Sequence, residues 1–141
     1  MYDRPTLTEL LSASIQHFEE KVKPVTKTIN AQLYFQTLVA INVLRIAKQE
    51  YAMRPYHLRA EWTRLNMVIG KDLKPIDNDD DLEVAIQAAN IKLCERIRQG
   101  EFDDDYALFQ HLIARTTEQL DVANPKFLQA IRLEEKQQTD D

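Results

Sequence analysis

The sequence predicts an all-α protein, a single-domain bundle of five to six helices with a long central second helix. Three observations predict it. Apolar residues recur at i, i+3, i+4 and i+7 along nearly the whole chain, and no stretch shows strand-like alternation. The 141 residues include only Gly 2 and Pro 5, too few for the many turns of a sandwich or barrel. Capping residues and prolines fall where helix ends are needed. A hydrophobic fraction of 44% beside 29% charged residues is that of a globular chain with one real core. The domain is expected over residues 1–133, followed by a polar tail, 134–141, that frays.

The first helix starts at a capping box. Thr6 and Glu9 have the spacing in which the Thr hydroxyl accepts from the Glu9 N–H. Behind it Leu7, Leu10, Leu11, Ser14, Ile15 and Phe18 form a stripe, and Pro24 is expected to stop the helix. The second helix should run from about Asn30 to Met53. Its apolar residues, from Leu33 through Ile41 to Tyr51, cover most of the circumference, the pattern of a helix surrounded by others. Pro55 reads as the first position of a third helix, carrying Leu58, Trp62, Leu65, Val68 and Ile69 and stopped by Gly70.

Lys71 to Asp80 is a polar connector in which Asn78, Asp79 and Asp80 are candidate caps. Helix four carries Leu82, Ala85, Ile86, Ala89, Leu93 and Ile97, and ends at Gln99-Gly100 with Arg96 and Arg98 near its negative end. Asp103, Asp104 and Asp105 cap helix five, whose stripe runs from Tyr106 and Phe109 to Leu120. Asn124-Pro125 breaks the chain once more, and Phe127, Leu128 and Ile131 suggest a short sixth helix.

The net charge of −5 is unevenly spread: residues 1–53 sum to +1, residues 54–76 to +3 and residues 77–141 to −9. So acidic a surface repels phosphate backbones, and nucleic acid is not an expected partner. The basic patch of Arg54, Arg59, Arg64, Lys71 and Lys74 is better read as a solvated face balanced by the acidic half. Thr28 to Leu44 is an uncharged run of 17 residues, but six of them are Thr, Asn or Gln. It therefore reads as a core helix, and no membrane association is expected. Met1 to Glu20 has no apolar signal region, and the single Cys94 is compatible with a reducing compartment, so the expected location is the cytoplasm.

Chemistry-bearing motifs fail one after another. An EF-hand loop starting at Asp77 would need glycine and glutamate where Leu82 and Ala88 stand, so helix capping explains that acidic run better. Ser14, Arg54 and Leu108 stand three residues before His17, His57 and His111, so no Glu-x-x-His pair exists for a di-iron site. Two glycines cannot write a phosphate loop or a dinucleotide fingerprint. No metal and no cofactor is expected. Cys94, beside Leu93, reads as a buried, inert thiol. Trp62 and Tyr56 read as core packing before partner anchors.

Polar residues in apolar surroundings stand out instead. Asn42 lies in the most apolar segment, with Arg45 three residues on; a buried Asn there would cross-link helices or face a cleft. Asn90 interrupts the stripe of helix four and poses the same question.

Four segments carry a resemblance over roughly residues 2–128. They are Arg4-Pro5-Thr6 with Glu9-Leu10-Leu11, the helix from Phe35 to Leu44, Arg98-Gln99-Gly100-Glu101, and Asp121-Val122-Ala123-Asn124-Pro125-Lys126-Phe127-Leu128. The chain resembles a bacterial family of small helical domains of unknown function, whose members accompany aminoglycoside-phosphotransferase-like kinases and acyl-CoA dehydrogenases. The resemblance implies a helical accessory to such an enzyme, with no assigned reaction. The positions matching its recurring polar motifs are Arg4, Asn42, Asn124 and Lys126; with Arg45 they make up the candidate polar site.

Two expectations follow. One is a non-catalytic module that binds or stabilises a partner protein; self-association as a homodimer is compatible with this expectation and with the next. The other is a helical protein for a small-molecule or acyl-CoA-type ligand, with Asn42 and Arg45 lining an interhelical pocket.

Overall fold

The computed structural model describes residues 4–70 and 74–139, and every regular element among them is a helix. The elements are α1 (Leu7–His17), a π turn (Phe18–Val22), α2 (Lys23–Ile29), α3 (Ala31–Ile69), α4 (Asp79–Arg98), α5 (Tyr106–Ala123) and α6 (Pro125–Thr139). The all-α expectation holds, with α3 as the long central helix. The chain divides into two compact units, Met1–Met53 and Arg54–Asp141, and α3 contributes to both.

The helix starts obey the capping rule. At α1 the Thr6 hydroxyl accepts from the Glu9 N–H (3.2 Å) while the Glu9 carboxylate accepts from the Thr6 N–H (2.8 Å), closing the capping box. Asn30 accepts from Leu33 N–H (2.7 Å), Asn78 from Asp80 and Asp81, and Asp105 from Leu108 (2.9 Å). Asn124 accepts from Phe127 at the start of α6 (3.3 Å). Each satisfies donors that a helix start otherwise leaves bare. At the end of α4, Gly100 takes φ +78°, its N–H reaching Ile97 O and the Glu101 N–H reaching Arg96 O. That is the Schellman closure, whose left-handed residue favours glycine.

Two expected helix ends are absent. Pro24 does not stop the first helix; the chain widens into the π turn just before it, with the Lys23 N–H bonded to Phe18 O, and continues as α2. The wider turn relieves the collision of the proline ring with the preceding carbonyls. Pro55 does not open a third helix either: it lies inside α3, which runs 39 residues unbroken. Breaking α3 there would expose orphan backbone groups at two new ends, and neither Met53 nor Arg54 can cap. A proline in a helix interior costs about 3 kcal/mol, and α3 carries that cost without breaking. The sixth helix is also longer than expected, 15 residues to Thr139.

Unit Arg54–Asp141 has the hydrophobic core. Leu65 and Val68 of α3, Leu82, Ile86 and Leu93 of α4, Phe102, and Leu108 of α5 form one buried cluster, flanked by Leu58, Trp62, Ile69, Ile76 and Ala89. Leu65 is wholly buried, so Leu65→Ala would remove about 2–5 kcal/mol. Val122 and Leu128 are buried further along, on α5 and α6. Unit Met1–Met53 is different: Ile41 is its one fully buried apolar side chain among the described residues, with Thr26 and Thr37 beside it in burial.

The three arginines of the basic stretch 54–76 pair with carboxylates of the acidic half. Arg54 pairs with Asp80 (2.8 Å) and Glu83 (2.6 Å), Arg59 with Asp79 (2.8 Å), and Arg64 with Glu118. Lys71 and the first part of the connector lie outside the described residues.

Candidate functional site

Three features could carry function: a polar cluster and a groove in the second unit, and an apolar surface on the first. The cluster is assembled from three helices. On α3 stand Glu61 and Arg64, on α4 Asn90, and on α5 His111, Arg115 and Glu118. Glu61, only 9% exposed, accepts from Asn90 Nδ2 (2.9 Å) and pairs with Arg115 (3.1 Å) through the same Oε1. Arg64 holds Glu118 by two parallel bonds of 2.8 and 2.6 Å, the fork geometry that makes Arg–carboxylate pairs strong. Asn90 is thus a helix cross-link, the role its place in an apolar stripe suggests.

His111 is almost wholly buried, and its Nδ1 has no hydrogen-bond partner among the described residues. Burial pushes its pKa below the usual 6.5, and the Arg64 charge pushes the same way. Glu61 and Glu118 oppose this, while Arg115 adds to it. The ring is therefore neutral at pH 7. Because each Arg in the cluster has its own carboxylate, the network is electrically closed. It ties α3, α4 and α5 together.

The groove, about 330 Å³, runs along α3 and α4 between Trp62, Ile69, Ala85, Ala88, Ala89 and Leu93, with Lys92 and Arg96 at its edge. Trp62 is fixed by donating Nε1–H to Lys74 O (3.1 Å). Arg96 is occupied by Glu101 (2.6 Å) and lies over the Phe102 ring at 4.8 Å.

On the first unit, Leu7, Leu10, Val25, Ile29, Leu33, Phe35, Leu38, Val39, Val43 and Tyr51 are all exposed. Phe35 leaves 65% of its surface bare. Exposed apolar residues are normal on a surface, and the second unit exposes eleven; what sets the first apart is that its ten are backed by a single buried apolar side chain, Ile41.

The five candidate residues divide between the units. Arg4 lies beside Glu9 (3.7 Å), and Arg45 pairs with Glu19 of the π turn. Asn42 is exposed, not buried, because the apolar surroundings the sequence gives it are themselves bare. Asn124 and Lys126 are exposed at the α5–α6 junction, where Asn124 serves as the cap. Cys94 is likewise exposed: buried Leu93 faces the core, and the next residue turns about 100° away. Tyr56 is exposed, while Trp62 packs against the core.

Glu61, Arg64, His111, Arg115 and Glu118 were not legible as a site in the sequence. The available signal was opposite charges at core spacing: His111, Arg115 and Glu118 at i, i+4, i+7, and Glu61 with Arg64 at i, i+3. Among the described residues no group of His, Cys, Asp and Glu could hold a metal ion, and no helix is long and apolar enough to cross a membrane.

No curated protein and no solved structure matches the chain. A family model described as a domain of unknown function, DUF6285, matches residues 27–127, leaving the Arg4-Pro5-Thr6 segment outside the match. With well over half of its 141 residues covered, the chain belongs to that family.

Proposed function

We propose that the protein is a non-catalytic interaction module that seats another protein on the apolar surface of its first unit. The observation that carries this reading is the contrast between the units. Both units expose large apolar side chains, ten in residues 4–53 and eleven among the described residues of 54–141, but the second also buries nine apolar residues as a core, whereas the first buries Ile41 alone. At roughly 25 cal/mol per Å² of apolar area, leaving such a surface in water forgoes several kcal/mol that a partner would recover. The self-neutralised cluster around His111 supports the absence of catalysis. The partner fitting the sequence resemblance is a bacterial kinase-like or acyl-CoA-pathway enzyme in the cytoplasm, to which this chain is the accessory.

The test is affinity purification of the tagged protein from its native cells at two salt concentrations, beside Val25→Lys/Ile29→Lys. Both positions are exposed on α2. A stoichiometric enzyme retained at moderate salt by the native chain and lost by the variant supports the reading. Bait alone at both salts, or equal retention by the variant, refutes it.

A second reading rests on the groove along α3 and α4. Apolar walls with the Lys92 ammonium among the lining residues suit an anionic, acyl-bearing small molecule. Protection of Trp62 fluorescence from quenching by an acyl-CoA separates it from the first.

A further inference from the structure

We infer that the protein is a homodimer in which the outer stripe of α3, residues 35–46, packs against the same stripe of a second copy. This rests on the interaction-module reading and assigns one part of its surface, leaving the α1 and α2 side for the other partner.

The stripe is Phe35, Val39, Asn42, Val43 and Ile46, at i, i+4, i+7, i+8 and i+11. Four residues are exposed and Ile46 is half-buried. The inner face of the same helix is marked by buried Thr37 and Ile41. Val39 follows Thr37, and Val43 follows Ile41, by two residues. At 100° per residue each valine points about 200° from its buried neighbour, so the stripe lies on the opposite side of α3. A helix with apolar stripes on two opposite sides has partners to meet on both. Unit one supplies only the inner one.

The chemistry favours a second copy over an unlike protein. A two-fold axis brings each residue near its own image, so a charged stripe would oppose itself. From Ala31 to Leu44 the chain has no charge at all, and the next charged residue, Arg45, is already paired with Glu19. The polar residues on this side are amides, Asn42 within the stripe and exposed Gln36 at its edge, about 20° from Val43, and an amide both donates and accepts and so pairs with an identical amide. One asparagine within an apolar helical seam is a known means of fixing register and stoichiometry. The seam is short: residues 35–46 span about 18 Å, or three turns of helix.

The test is the solution mass of the full chain by sedimentation over about 1–100 µM, for the native protein, Val39→Lys/Val43→Lys and Asn42→Asp. The native chain should sediment at twice its 16.5 kDa, the double variant as a monomer of unchanged helicity, and Asn42→Asp with a dimer dissociation constant at least tenfold weaker. If the double variant loses helicity, Val39→Gln/Val43→Gln replaces it. Oxidation of Asn42→Cys/Cys94→Ser should link two copies through residue 42. A native monomer throughout the range overturns the dimer while leaving the wider reading to the affinity purification. A dimer that survives the substitutions, or no disulfide at residue 42, overturns this stripe as its seam.

Discussion

Removing the Glu118 side chain strands the Arg64 guanidinium, whose Nε already has no hydrogen-bond partner among the described residues. The pair makes two charge-assisted bonds of 2.8 and 2.6 Å, with side chains 22% and 21% exposed. Breaking a fully buried pair by deleting one partner costs about 3–5 kcal/mol, and a typical exposed pair less than about 1. A fifth of residual exposure lets water reach the stranded cation, so Glu118→Ala should lose about 2–3 kcal/mol. In urea that lowers the midpoint by about 1–2 M. Trp62 is the protein's sole tryptophan and lies in the same unit, so its fluorescence reports the transition without interference. Arg64→Met/Glu118→Leu replaces both charges by apolar groups and should lose less than the two single substitutions combined, by about 1 kcal/mol or more. Additive losses, or under 0.5 kcal/mol for Glu118→Ala, would refute the view that this pair holds α3 to α5.

Three further outcomes follow from the same structure. His111 is held neutral in the fold, so between its depressed pKa and 6.5 the unfolded chain binds the additional proton. Stability is therefore full above pH 6.5 and falls as pH drops towards the folded pKa, a slope that urea titrations at pH 7.5, 6.5 and 5.5 should show for the native chain and not for His111→Leu. Asn78→Ala frees two N–H groups at the start of α4 and should cost about 1 kcal/mol by the same titration; no loss would mean the cap is idle. Pro55→Ala restores a backbone donor inside α3 and should stabilise by about 1–3 kcal/mol, whereas destabilisation would show that the proline serves a break in solution.

What the sequence made legible and what it hid follow one rule about helix ends. Thr6, Asn30, Asn78, Asp105 and Asn124 each offer a side-chain acceptor, and each begins a helix. Pro24 and Pro55 lack any such neighbour, and both are absorbed, one by a widened turn and one by direct continuation. Asn124-Pro125 has both signals and does break the chain. Proline without a cap therefore does not stop a helix in this chain. Burial was harder still, because periodicity identifies an apolar face without saying what covers it. Asn42 reads as buried on pattern alone and is bare, since the residues around it find no cover in their own unit. The His111 cluster was hidden for the opposite reason: its charges are distant in sequence and meet only when α3, α4 and α5 pack.

The most direct test of the interaction surface is site-specific photo-crosslinking in living cells, with a photoreactive side chain at position 29, 39 or 110 of the full-length chain. Ile29 and Val39 lie on the bare surface of the first unit, and Gln110 is an exposed position of the second. Discrete protein adducts at 29 and 39, with none at 110, are the expected result. No adduct at either first-unit position would contradict the claim that this apolar surface is where the protein meets others.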